Sequence, residues 1–378
     1  MLFLKTHSVK RNRIHYRLTL RAFWPDDTLN LYNHGGGMTK LILAGWACGA
    51  LALGADFPGA QWEKHSRAGW SESLLQAARS FTATKQTAAV MIVQDGRVVD
   101  QWGDVAKKIE VRSIRKSFLS ALYGIHVAEG HIDLGKTLED LGIDDTPPVL
   151  TTEEKQATIL DLLRARSGVY HDAARETAAM RAARPARGSQ APGSYFYYNN
   201  WDFNVLGAIF EQVTGKKMFT EFAERIARPI GMEDYVPTDG RFTGAEGSTL
   251  VGDSKYLNYV FSMSARDMAR FGYLYLRQGL WRNSQVVPAR WVTRSVMSYS
   301  NQPGRPSSPA IGYGLLWQTM DWGYAAMGNG GHVIAVIPSK GIVVVHRVLY
   351  DLPREDVVSY RDIDTMIRLI MAAAPAGR

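Results

Sequence analysis

In this chain of 378 residues, strand-like runs lie toward both ends of the patterned region and helical patterns fill the stretch between them, which constrains the fold more than any other feature. TAAVMIV and RVVDQW (87–102) are rich in β-branched residues and flank Gln94-Asp95-Gly96, whose Asp-Gly pair favours a twisted hairpin. GYGLLWQTM, HVIAVIP and GIVVVHRVL read as three further strands from about 311, with Ser339-Lys340-Gly341 turning between the last two. Helical spacing predicts helices at 70–82, 113–129, 153–166, 202–214, 217–227, 264–278 and 359–373, and no comparable sheet signal interrupts the middle. The expected class is α+β: one sheet built from both ends of the chain (about 70–112 and 305–378), with a mostly helical region (about 113–304) inserted into it. The reading takes 70–378 as a single domain and 56–69 as a leader.

With 46% hydrophobic residues and one cysteine, Cys48, such a core needs no disulfides, and a cysteine-based metal site is excluded as an expectation. The net charge of +8 would suggest nucleic acid, but its location argues otherwise. Residues 1–55 hold seven basic residues against two acidic ones, so the rest of the chain carries an ordinary surface and no nucleic-acid partner is expected. Within that segment, Met38-Thr39-Lys40 precedes the apolar run 41–53, which ends near Ala50-x-Ala52. About 13 residues are too few to span a bilayer. We read 38–55 as a signal peptide, 1–37 as a start-site artefact, and the location as periplasmic or secreted, with no stable membrane span.

Chemistry is suggested first by Ser113-Ile114-Arg115-Lys116, the one S-x-x-K box in the sequence. A chain this long holds about one or two by chance, so placement carries the weight. Ser113 is predicted to open an apolar helix, which sets Lys116 on its face and offers free N–H groups to developing negative charge. A serine hydroxyl needs a base, and a desolvated lysine can supply one. A helix cap is the competing reading of Ser113. Tyr-x-Asn occurs four times, starting at Tyr197, Tyr198, Tyr256 and Tyr299. Tyr198 stands at the entry of the amphipathic segment WDFNVLGAIFEQVTG, with Asn200 placed to bond the lysine or a carbonyl. Finally, Gly328-Asn329-Gly330-Gly331-His332 leads into a core strand. Its N–H groups could pair with that of Ser113 as an oxyanion hole, or simply form a hairpin turn.

In this order, the three elements resemble the serine β-lactamase and penicillin-binding superfamily, most of all its class C-like branch of esterases and 6-aminohexanoate-dimer hydrolases. KSFLSALYGIHVAEGHIDL, YNNWDFNVLGAIFEQVTG, SMSARDMARFGYLYL and GNGGHVIAVIPSKGIVVV carry the likeness over roughly 70–373, and Gly207, nine positions after Tyr198, favours that tyrosine. The resemblance implies an antiparallel sheet flanked by helices, beside an all-helical region, with the site between them. It implies Ser113, Lys116 and Tyr198 as catalytic residues and Asn200, Asn329, Gly330 and Gly331 as substrate or oxyanion contacts. A K-T-G box is missing, since no lysine stands around 326–330. That departure favours an ester or amide over a β-lactam.

The expected activity is therefore a serine hydrolase acting on a small ester or amide through a Ser113 acyl-enzyme, the base being shared by Lys116 and Tyr198. The alternatives are a penicillin-binding-like receptor with negligible turnover, or a β-lactamase or D-amino-acid carboxypeptidase. No G-x-S-x-G elbow, P-loop or H-E-x-x-H occurs, and the nine histidines show no metal-ligand spacing, so neither cofactor nor metal is expected. His332 reads as a turn or rim residue. Arg164, Arg166, Arg175, Arg181, Arg184 and Arg187 read as a solvated surface, with an acidic substrate group as the second possibility. Oligomeric state is left open.

Overall fold

A computed structural model describes residues 57–243, 254–301, 309–349 and 358–376. The signal-peptide and start-site readings of 1–55 lie outside the described residues, as do parts of the 300–310 loop. Among the described residues, the first elements are helix α1 (Glu72–Ala83) and a hairpin of β1 (Thr87–Gln94) and β2 (Arg97–Gly103). A short β3 (Ile109–Glu110) leads through a single 3-10 turn (Arg112–Ile114) into α2 (Arg115–Ala128). The middle of the chain holds α3 (Ile159–Leu163), α4 (Ala178–Ala183), α5 (Asn200–Thr214) and α6 (Met218–Phe222). Next come β4 (Gly240–Thr243), β5 (Asn258–Met263), α7 (Ala265–Leu276), β6 (Leu280–Trp281), β7 (Ser284–Gln285) and α8 (Ala289–Ser295). Finally β8 (Ser300–Asn301), β9 (Gly312–Tyr313), β10 (Gln318–Met320), β11 (Gly323–Gly328), β12 (His332–Ile337) and β13 (Ile342–Val348) precede α9 (Tyr360–Ala373).

One antiparallel sheet of eight strands unites the two ends in the order β2-β1-β13-β12-β11-β10-β9-β8. Val90 faces His346 and Ile92 faces Val344, so the hairpin lies against the last strand. Asp95 and Gly96 both have positive φ, as the tight turn between β1 and β2 requires. The sheet is covered on both faces, which is why its central strands are continuous apolar runs rather than alternating ones. Val333, Ala335, Val344 and Val348 pack with Leu75, Ile363, Ile367 and Ile370 of α1 and α9. On the opposite face α7 comes close because Gly272 has no side chain: a Cβ there would lie 2.6 Å from Val343 and 2.7 Å from Ile334. Capping by Ser71 and by the Ser359–Asp362 pair starts α1 and α9.

The α+β expectation holds, with three differences in detail. A second sheet, β3-β5-β4, draws two of its three strands, β4 and β5, from the stretch read as helical. Its central strand, NYVFSM, is buried at five of six positions and so shows no alternation to recognise. GYAAMG forms β11 although Gly and Ala are poor strand formers, because β10 and β12 supply ladders on both sides. GYGLLWQTM is split into β9 and β10 around Leu316, whose φ is +65°.

Candidate active site

Ser113 does not open the long helix; it sits in the 3-10 turn before it. Val111 is pinned by its N–H to the Phe261 carbonyl of β5, 2.9 Å away. Arg112 then takes φ +53°, a left-handed conformation that costs a non-glycine residue about 1–3 kcal/mol and must be held by its surroundings. Its guanidinium is tied back to Glu110 at 3.0 Å. The outcome is a sharp strand-to-helix corner with the serine at its apex. Neither helical start carries a side-chain cap bond, so the Ser113 hydroxyl is not spent as a cap.

One turn on, Lys116 is only 2% exposed. Its Nζ lies 3.0 Å from Ser113 Oγ, 2.5 Å from Tyr198 Oη and 3.2 Å from Asn200 Oδ1. Lys116 Nζ also stands 4.3 Å from the ring centres of Tyr198 and Phe203. Three of the residues marked out by sequence therefore converge on the amine of a fourth, and the serine hydroxyl, lysine amine and tyrosine oxygen form one hydrogen-bonded chain.

The loop presenting Tyr198 is fixed from beneath. Asn199 caps α5 by accepting the Trp201 N–H at 3.2 Å, while its amide donates to the Val169 carbonyl at 2.7 Å and to Asp202 at 2.9 Å. Ser167 donates to the same Asp202 oxygen at 2.6 Å. Burial pushes the Asp202 carboxyl well above its ordinary range. Asn200 donates to the Arg175 carbonyl at 3.0 Å, which turns its own carbonyl oxygen toward Lys116. Gly207 lies beneath the ring of Tyr259, where a Cβ would come within 2.8 Å. The other three tyrosines are placed elsewhere: Tyr197 donates to Met180 O, Tyr256 donates to Asp144 O, and the Tyr299 ring lies under Arg164. The supporting Asn199–Asp202–Ser167 set was not singled out from sequence, although asparagine before a helix is a recognisable cap signal.

The glycine segment forms the turn between β11 and β12, beside the corner that carries the serine. A Cβ on Gly328 would lie 2.5 Å from Val111 O and 3.2 Å from Arg112 Cβ. Gly331 closes the turn by donating its N–H to Gly328 O at 3.3 Å, so the turn itself uses one of the N–H groups proposed from sequence as oxyanion donors. His332 is wholly buried at the start of β12 rather than on a rim. Burial, helped by Arg347, pushes its imidazole well below the ordinary range.

The arginines of the inserted region are mostly structural ties instead of a solvated surface. Arg187 grips the buried Glu154 with two nitrogens, at 2.8 and 2.7 Å, and Arg184 holds Asp172 at 2.6 Å. Arg166 laces Gly193 O, Ser194 O and Ser300 Oγ, and Arg164 stacks over Tyr299. Arg175 is different. It shares the single carboxylate of Glu110 with Arg112 and with Arg241 of β4, at 3.5, 3.0 and 3.2 Å. Glu110 thus gathers Arg112, Arg175 and Arg241 around one carboxylate in the residues that lead into the Ser113 corner. Elsewhere, and contrary to the expectation from histidine spacing, His126, Glu129 and His131 converge within reach of one ion.

Among the described residues, no helix is long and apolar enough to cross a membrane. A family model described as Beta-lactamase matches residues 76–348, well over half of the chain. A candidate 6-aminohexanoate-dimer hydrolase from Bacillus anthracis superposes with a TM-score of 0.59 at 20% identity, covering 84% of this chain and 86% of that one. The octameric penicillin-binding protein homologue from Pyrococcus abyssi gives 0.57 at 17% identity, over 80% and 77%. The D-amino acid amidase from Ochrobactrum anthropi SV3, solved with L-phenylalanine amide, gives 0.56 at 16%, over 80% and 98%. At these identities the likeness is one of fold. The D-aminopeptidase of Brucella anthropi is 35% identical over 78 residues, 19% of this chain and 15% of that protein, so the match spans about a seventh of that relative's length.

Proposed function

Because the chain belongs to the Beta-lactamase family, we propose that it is a hydrolase that cleaves a small ester or amide through an acyl-enzyme on Ser113. One observation carries the reading: a buried lysine amine within hydrogen-bond reach of Ser113 Oγ, Tyr198 Oη and Asn200 Oδ1. Ser113 Oγ attacks the carbonyl carbon as its proton passes to the Lys116/Tyr198 pair. That pair returns the proton to the departing alcohol or amine, and then activates the water that releases the acyl group. The N–H groups of Ser113 and of Asn329 or Gly330 are the oxyanion donors in this reading, each worth about 3 kcal/mol. Arg175 and Arg241, which share Glu110, support a substrate bearing an acidic group. The absence of a third-box lysine supports an ester or amide over a β-lactam. The apolar run 41–53 supports export to the periplasm or medium.

The test is a turnover screen of short acyl esters, aminohexanoate amides, D-amino-acid amides and a cephalosporin, each in neutral and carboxylate-bearing forms, on wild type and Ser113→Ala. Multiple turnovers on an ester or amide, abolished in the variant, are expected. Stoichiometric acylation without turnover on every substrate would favour the penicillin-binding-like receptor, and equal rates in both proteins would remove Ser113.

A further inference from the structure

At the far end of α2 from Lys116 the chain folds back on itself. Gly130, with φ +75°, reverses it, and the His131 N–H returns to the His126 carbonyl at 2.9 Å. This reversal brings the two imidazoles together: His126 Nδ1 and His131 Nδ1 are 3.2 Å apart. Glu129 Oε2 lies 3.4 Å from His131 Nδ1 and 3.9 Å from His126 Nδ1. Ligands at the ordinary zinc bond lengths of about 2.0–2.2 Å occupy tetrahedral edges of about 3.4 Å. The three atoms thus already have nearly the spacing of one face of such a shell.

The surroundings prepare His126 as a ligand. Its Nε2 donates to the buried Glu221 of α6 at 2.9 Å, which fixes the tautomer and leaves the Nδ1 lone pair facing His131 and Glu129. The ring is held edge-on by Phe210. Arg225 bonds mainly Glu129 Oε1, with a longer contact of 3.3 Å to Oε2 and one of 3.2 Å to Glu221. Glu129 and Glu221 thus set two carboxylates and the Arg225 guanidinium beside the imidazoles. His131 is 57% exposed, so an ion has access and a solvent molecule can complete its coordination.

We propose that His126 Nδ1, Glu129 Oε2 and His131 Nδ1 form a site for a divalent transition-metal ion of the zinc type, with Glu221 positioning His126. The ion clips the turn at 129–131 onto the last turn of α2, the helix whose other end carries Lys116. The untagged full-length chain, stripped with a chelator, is titrated with Zn²⁺ by calorimetry and with Co²⁺ by visible absorption. One equivalent per chain is expected, with the intense d–d bands of tetrahedral cobalt and a raised melting temperature. His131→Ala, at an exposed position, keeps the fold by circular dichroism but weakens binding at least about tenfold, and Glu221→Gln weakens it about 10- to 100-fold. No stoichiometric binding by wild type, or unchanged affinity in His131→Ala, overturns the proposal.

Discussion

Replacing Tyr198 by phenylalanine removes one oxygen from the centre of the site and little else. The ring keeps its contacts with Phe203 and Tyr313, at 4.9 and 5.9 Å between centroids, and its place beside Lys116 Nζ. The 2.5 Å hydrogen bond from Lys116 Nζ is lost in a buried setting. Leaving a buried donor without that partner costs about 1–3 kcal/mol of stability. A domain with an ordinary reserve of about 5–15 kcal/mol stays folded after that loss. Catalysis suffers more if the phenol carries a proton in the transition state: kcat/KM falls about 10²–10⁴-fold, or roughly 3–5 kcal/mol of barrier. Stopped-flow acylation with a chromogenic ester, beside urea unfolding of both proteins, separates the two effects. A folded Tyr198→Phe protein within tenfold of the wild-type acylation rate would refute proton transfer through Tyr198 and leave it a packing residue.

Acid lability is expected from His346, whose imidazole burial pushes down to about 4. The unfolded chain takes up the proton first, near pH 6.5, so stability is full above that value and is lost as pH falls toward 4. Unfolding free energies from urea titrations at about pH 7.5 and pH 5 should differ by about 2 kcal/mol more in wild type than in His346→Gln; equal pH dependence of the two proteins would contradict the assignment. Gly328→Ala places a Cβ 2.5 Å from Val111 O and so pushes the β11 end away from the serine corner. A displacement of about 1 Å costs on the order of 10² in rate, so steady-state kinetics should show kcat/KM down about 10- to 100-fold, and an unchanged value would show that the two segments are not coupled.

Much of this was legible in the sequence because single features imposed it. The Asp95-Gly96 turn, the apolar runs of β12 and β13 and the helix spacing before Gly130 each have one structural solution, and together they give the sheet made from both ends. The convergence of Ser113, Lys116, Tyr198 and Asn200 was also readable: the first pair are one helical turn apart, and Asn199 announces the start of α5. Other features depend on distant contacts. The left-handed Arg112 has no local signature; Glu110 and β5 hold it there. β5 and β11 were missed because burial on both faces, or ladders on both sides, replaced the usual pattern and propensity. His126 and His131 looked unrelated until the turn at Gly130 brought their rings together. Gly331 was a reasonable oxyanion donor by position, but the turn itself uses its N–H.

The central claim is that Ser113 is the nucleophile, and covalent labelling addresses it most directly. Folded wild-type protein is treated with a fluorophosphonate and analysed by intact mass and peptide mapping, beside Ser113→Ala. A single adduct on the peptide containing Ser113, absent from the variant and slowed in Lys116→Met, is the expected result. No adduct, or one on another serine while Ser113 stays unmodified, would contradict it.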